Sequence, residues 1–108
     1  MNNFIYPKVI LTSKIKNMVI HKIRPAVEVS KNGYIKNSML YKSSYEYVNH
    51  EDPDQHAENI YNSILLCLKE YPERYIHLTG YGYNKSSSSE YLSDYITIYV
   101  PGSNLQPF

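Results

Sequence analysis

Between Asp52 and Pro72 the chain carries an apolar stripe that only an α-helix can bury along one side. Ala57, Ile60, Tyr61, Ile64, Cys67, Leu68 and Tyr71 recur at the i, i+3, i+4, i+7 spacing of a helix face. Asp52 suits the N-cap, Pro53 the first helical position, and Gln55 stands where a capping box places its reciprocal partner. Pro72 stops the run. A helix with one apolar face must pack on a second layer, and the rest of the chain has to supply it.

Strand patterns supply it. Ala26–Ser30 is a short strand with Val27 and Val29 to one side, followed by a Lys31-Asn32-Gly33 turn signal. Residues Met39–Val48 alternate: Tyr41, Ser43, Tyr45 and Tyr47 share one face, Leu40, Lys42, Ser44, Glu46 and Val48 the other. Arg74–Gly80 and Tyr95–Val100 are two more strands, the second with Ile96, Ile98 and Val100 aligned. The segment Gly82–Asp94, with four consecutive serines, is expected as a long, mobile hairpin connection between them. A first helix is expected over Ser13–Ile23, with Ile15, Met18, Val19 and Ile23 on one face, Thr12 or Ser13 as N-cap, and Pro25 ending it. The order helix, strand, strand, helix, strand, strand predicts an α+β fold: a four-stranded antiparallel sheet with two helices packed on one face. Both sheet faces carry tyrosines, so the pattern does not say which one the helices cover. No repeat or linker interrupts the 108 residues, and one domain is expected, with its core over residues 11–101 and short tails at both ends.

Composition excludes more than it identifies. A formal net charge of +1 argues against a nucleic-acid binder. The charge is nonetheless divided, +6 over residues 1–36 and −5 over the remainder, which suits steered docking. One cysteine allows no internal disulfide, and Met1–Ile10 does not resemble a secretion signal. No apolar run nears the roughly 20 residues that span a bilayer, and a cytoplasmic location is the default expectation. Thirteen tyrosines with no tryptophan fit wet interfaces and half-buried sheet faces, although AT-rich codon usage gives the same enrichment.

Several local patterns, in this order, resemble the RuBisCO small subunit. Leu11-Thr12 with Ile15 and Val19 is similar to the family's first helix, and Pro25-Ala26-Val27-Glu28-Val29 to the strand that follows. Asp52-Pro53 resembles the opening of the second helix. Cys67-Leu68-Lys69-Glu70-Tyr71-Pro72 resembles its Cys-x-Lys-x-Tyr-Pro end, and Tyr75-Ile76, Gly80-Tyr81 and Ile96–Pro101 complete the series. The chain departs from the family where its second strand carries two tryptophans; Met39–Tyr47 has neither. The family's Gly-Phe-Asp-Asn turn is replaced by Gly80-Tyr81-Gly82-Tyr83-Asn84 and a serine-rich insertion, and His77 stands where the family has arginine. The resemblance implies a non-catalytic partner of a larger enzyme: the RuBisCO large subunit, as a divergent subunit or a carboxysome-associated module. An unrelated enzyme, such as one modifying ribosomally made peptides, is the alternative partner, with a peptide strand received at a sheet edge. An inhibitor or immunity protein is a further alternative.

No catalytic constellation emerges from the residues. His50, Glu51, Asp52, Asp54 and His56 are ligand types, but Asp52 and Asp54 are explained by the helix start. Cys67 belongs to the apolar stripe, and His77 is expected at a surface or interface. Gly80-Tyr81-Gly82 does not open a helix and is no phosphate loop. No cofactor and no metal are expected. The partner-binding residues expected are Tyr41, Tyr45 and Tyr47 on the second strand and Tyr81 and Tyr83 at the hairpin, because aromatic anchors dominate interface energetics.

Overall fold

The computed structural model describes residues 6–43 and 52–102. Helix α1 (Lys8–Ile20) leads into β1 (Arg24–Ser30), a 3-10 turn at Ile35–Asn37 and β2 (Met39–Ser43). Helix α2 (Pro53–Glu70) is followed by β3 (Tyr75–Asn84) and β4 (Ser89–Tyr99). The sheet order is β2-β1-β3-β4, every neighbouring pair antiparallel. This is the α+β arrangement expected from the sequence. The helices cover the face that presents Val27, Val29, Ile76, Leu78, Ile96 and Ile98, which meet Leu11, Ile15 and Met18 of α1 and Ile60, Ile64 and Cys67 of α2.

Helix α2 is built as its sequence dictates. The Asp52 carboxylate accepts from the Gln55 backbone N–H at 2.8 Å, and Pro53 occupies the first turn. The capping box does not close, because the Gln55 amide donates onward to Asn59. Helix α1 differs from expectation at both ends. It begins at Lys8, and the Thr12 hydroxyl, the proposed cap, instead donates back to the Lys8 carbonyl at 2.8 Å. It ends at Ile20, well before Pro25. Lys22 adopts φ 60°, the Ile23 N–H bonds the Met18 carbonyl and the Lys22 N–H the Val19 carbonyl. That pair of bonds is a Schellman motif, here with a lysine where glycine is usual. The motif brings Ile23 down beside Met18, so both side chains bear on Gly80 of β3.

The largest departure is the segment after Gly80. The expected long connection is a β-ribbon, paired from Tyr81↔Leu92 through Asn84↔Ser89. A four-residue turn over 85–88 closes it. The Asn84 side chain accepts from the Ser86 N–H, and Ser88 takes φ 54°. The serines thus supply turn chemistry. Gly82 is buried under the ring of its cross-strand partner, with Tyr91 Cζ 2.5 Å from where a Cβ would stand.

Gly80 is a sensitive position. A Cβ there would lie 2.8 Å from Ile23 Cγ2 and 3.2 Å from Met18 Sδ. Gly80→Ala is expected to destabilise the protein by about 1–3 kcal/mol in urea unfolding, the cost of overpacking a filled core. The entropic gain of about 0.4–1 kcal/mol from removing a glycine does not offset it. Unchanged stability would show that the Schellman end of α1 yields freely.

Candidate functional site

Strand alternation puts Val27 and Val29 under the helices and Arg24, Ala26, Glu28 and Ser30 on the far face. The register sets these beside His77, Thr79 and Tyr81 of β3. Beyond them lie Thr97, Tyr95 and Leu92 of β4. The centre of this face is closed: Glu28, Ser30, His77 and Thr79 are all buried. Two linked polar clusters fill it. The Glu28 carboxylate accepts hydroxyl hydrogen bonds from Ser38, from Thr79 at 2.9 Å and from Tyr81. Next to it, Ser30 Oγ lies 2.8 Å from His77 Nε2, and His77 Nδ1 lies 2.9 Å from Thr97 Oγ1. Arg24 extends the first cluster: its guanidinium stacks 4.9 Å from the Tyr81 ring centroid and binds Glu90 through Nε and Nη2.

His77 therefore is not the surface residue expected from the sequence; it is 0% exposed. Its strand is central, and the turn after β1 folds back over the far face, where Gly33 N–H donates to Ser30 Oγ. A serine 2.8 Å from an imidazole has the form of a nucleophile and its base. Here Ser30 also accepts from Gly33, and both residues are shut away, so the pair acts as buried polar packing. Burial holds the His77 imidazole below its ordinary pKa of 6.5, with the Glu28 charge opposing that shift. Burial, and then the bond to Glu28, pushes the Tyr81 phenol up to about 12.

Of the five tyrosines expected to bind a partner, the structure describes three, each in a different setting. Tyr45 and Tyr47 lie outside the described residues. Tyr41 is the extra residue of a β-bulge in β2, opposite the Val27/Glu28 step. The bulge breaks the alternation that would have put Tyr41 and Ser43 on one face: Tyr41 turns to α2, donating to Glu70 at 2.7 Å and meeting Tyr71 edge-on at 5.9 Å. The bond to Glu70, its largest influence, raises the Tyr41 phenol to about 12. Tyr81 is committed to Glu28 and Arg24. Tyr83 is exposed on the ribbon, and Leu92 and Tyr95 are exposed on the same face, with Tyr91 on the other. Sequence reasoning missed Tyr91 and Leu92 because it placed 82–94 in a connection and assigned no faces there, and it placed Tyr95 on a strand without counting it as a contact; the irregularity at the Gly80/Tyr81 step, which puts Leu92 and Tyr95 on one face, has no signal in the alternation.

The ligand-type cluster around the start of α2 does not assemble. His50 and Glu51 lie outside the described residues, Asp52 caps the helix, Asp54 pairs with Lys16 at 2.9 Å, and His56 is buried. Among the described residues no three His, Cys, Asp or Glu side chains converge on a point. Cys67 is buried, and desolvation raises its thiol to about 12, which keeps it protonated and inert. The divided charge is also spent internally: Lys8–Glu58, Lys14–Asp94, Lys16–Asp54 and Arg24–Glu90 pair the first segment with the second.

Two expectations follow. Tyr81→Phe removes a hydroxyl bond to a buried carboxylate and should cost about 1.5–3 kcal/mol of stability, whereas Tyr95→Phe, at an exposed position, should stay within about 0.5 kcal/mol. Equal effects in chemical denaturation would contradict the assignment. For His77, the unfolded chain takes up a proton near the ordinary imidazole pKa while the folded protein resists it. Stability is therefore complete above that pKa and falls as pH drops below it. The melting temperature should decline from pH 7.5 to 5.5, more steeply than in His77→Gln; identical slopes would remove His77 as the cause.

No protein-family model and no curated protein sequence matches the chain. Among solved structures, a chain of the RuBisCO from Galdieria partita has a similar fold, with a TM-score of 0.66 and 17% sequence identity. The likeness covers 90% of this chain and 66% of that one, so this chain spans just under two thirds of its neighbour's length. At this identity the likeness is one of fold: two helices on one face of a four-stranded antiparallel sheet, as in a RuBisCO small-subunit-like module.

Proposed function

We propose that this chain is a non-catalytic accessory protein that docks on a larger enzyme, and that its partner is a RuBisCO large-subunit assembly, in the cytoplasm or a carboxysome. The fold likeness over 90% of the chain is the observation that carries the reading. The disposition of side chains supports it. The groups with chemical potential, Glu28, Ser30, His77 and Cys67, are buried. Large apolar and aromatic side chains remain outside, among them Met39 and Leu40 on β2 and Tyr83, Tyr91, Leu92 and Tyr95 on the last two strands. Tyr45 and Tyr47, which continue the chain beyond β2, join Tyr83 as proposed contacts. Tyr41 and Tyr81 contribute by holding β2 and the ribbon in place. The second strand lacks the family's tryptophans, and that favours a second reading in which the partner is a different enzyme.

Affinity capture of the tagged protein from its own cells, with the mass of the intact complex, tests this. Recovery of RuBisCO large subunit in a multi-copy particle is the expected result. A single different enzyme, activated by the chain, would replace the partner and keep the accessory role. Tight one-to-one inhibition of that enzyme, or catalysis by the purified chain alone, would overturn the proposal. Within the captured complex, Tyr45→Ala and Tyr83→Ala should each weaken binding by about 2 kcal/mol and leave the melting temperature within a few degrees.

A further inference from the structure

The turn that follows β1 hangs on one buried hydroxyl. Ser30 is 2% exposed, and its Oγ accepts the Gly33 N–H at 3.1 Å while lying 2.8 Å from His77 Nε2. Gly33 stands at φ 85°, which glycine adopts without strain, and a Cβ there would lie 3.2 Å from Tyr75 Cε2. Further along, Ser38 fastens the same connection to Glu28. The hydrogens around His77 have one arrangement that leaves no buried donor unused. His77 Nδ1 lies 2.9 Å from Thr97 Oγ1, so a neutral imidazole has a hydroxyl at each nitrogen and one proton to place. With that proton on Nε2, Ser30 Oγ would receive two donors, and its own hydrogen would have no acceptor in a site shut from water. With the proton on Nδ1, Nδ1–H donates to Thr97, the Ser30 hydroxyl donates to Nε2, and Gly33 N–H keeps its place on Ser30. Thr97 is half-buried and turns its own hydrogen outward. We infer that His77 is held as the Nδ1–H tautomer and that a second proton releases the Lys31–Tyr34 turn, making the turn a pH-operated latch over the buried polar face.

The incoming proton binds the Nε2 lone pair, which until then accepted from Ser30. Nε2–H becomes a donor, the Ser30 hydrogen loses its acceptor, and both that hydrogen and the new imidazolium charge gain from water. Water reaches them once Lys31–Tyr34 lifts, which breaks the Gly33–Ser30 bond. The charges around the ring set where this happens. Burial opposes the imidazolium and is the larger effect; Glu28, opposite His77 in the β1–β3 ladder, favours it. Lys31 and Lys36 of the connection are exposed, so solvent and salt screen their repulsion. Arg24, further along β1, binds Glu90. Among the described residues, β4 brings Thr97 against the ring, and β3 flanks it with Tyr75 and Thr79. The helices and their ion pairs lie across the sheet. The latch is therefore closed at neutral pH and opens below the ordinary imidazole pKa of 6.5.

Nitrogen NMR of the imidazole in the isolated protein at pH 7.5 reads the tautomer: Nδ1 should carry the protonated resonance and Nε2 the unprotonated one. Amide hydrogen exchange, corrected for its intrinsic pH dependence, reads the latch. The Gly33 amide should be protected less than those of Val27 and Leu78 in the central strands, because the turn opens without the sheet. With the turn open, His77 titrates near its ordinary pKa, about one unit above pH 5.5. The Gly33 protection should therefore fall about tenfold between pH 7.5 and 5.5. In His77→Gln it should not change with pH. An Nε2–H tautomer would overturn the inference. So would Gly33 protection that is independent of pH in the natural protein, since the turn would then open without freeing His77. Protection at Gly33 equal to that at Val27 and Leu78 would mean that the turn opens only when the sheet unfolds, and would overturn it too, as would an undiminished pH dependence in His77→Gln. If that variant fails to fold, the tautomer and the exchange of the natural protein still decide.

Discussion

A carboxylate buried in the second of two closed faces organises the sheet. β1 lies between β2 and β3, and its residues from Pro25 to Ser30 are all buried, Glu28 keeping 5% of its surface exposed. A buried carboxylate costs several kcal/mol unless donors surround it. The donors come from two places: Ser38 from the turn beyond β1, Thr79 and Tyr81 from β3. Each has to be in register for Glu28 to be tolerated. The apolar face alone fixes only that Val27 and Val29 point at the helices, which a shift by two residues would also satisfy. A one-residue slip would drive Glu28 into the apolar layer. Glu28 therefore supplies the register that hydrophobic burial leaves open, and Arg24, stacked on Tyr81 and held to Glu90, carries that register out to the ribbon.

The charge pattern serves the same end. The basic first third and the acidic remainder suggest a molecule with two electrostatic ends, yet the structure folds one onto the other. Lys8 and Lys16 meet Glu58 and Asp54, fixing α1 antiparallel to α2, and Lys14 ties α1 to β4. Such exposed pairs contribute about 0–1 kcal/mol each, so they orient the layers more than they stabilise them. Arg24 is different, with 13% of its side chain exposed and both a carboxylate and an aromatic face engaged. Charge separation along a sequence is no measure of charge separation in space when topology returns the segments to one another.

The legible parts of the sequence were those governed by local rules. The stripe and cap of α2 dictate its helix because spacing, Asp52 and Pro53 act within a few residues. The sheet and its helices followed from element order. α1 was misplaced because its terminus is a Schellman motif at Lys22, a residue without the usual glycine signal, and because its outer side carries Val9, Ile10 and Ile20, which blurs the periodicity. The far-face cluster was hidden for a different reason. Glu28, Ser30, His77, Thr79 and Thr97 are scattered over seventy residues, and only the register of three strands assembles them. Alternation says which face His77 takes, not that a turn folds back over that face and buries it. The bulge at Tyr41 redirected a side chain that alternation had assigned elsewhere. The ribbon is hidden because a serine-rich stretch reads as a loop, whereas Lys85 and three serines close the turn and Ser89 already opens β4.

Burial of both faces at the sheet centre leaves the exposed apolar side chains elsewhere: Met39 and Leu40 on β2, Tyr83, Tyr91, Leu92 and Tyr95 on the last two strands, and Val9, Ile10, Ile20, Leu65 and Leu66 on the outer sides of the helices. These sites differ in chemistry. Over its described residues β2 carries a bulge, which interrupts the backbone pairing of that strand. β4 is long, and its residues Ser89–Tyr95 are exposed. Glu90 and Asp94 on this strand are each held by a cation of the first third, Glu90 by Arg24 and Asp94 by Lys14. The ion pairs that fold the two halves of the chain together thus also neutralise the charge of the exposed strand.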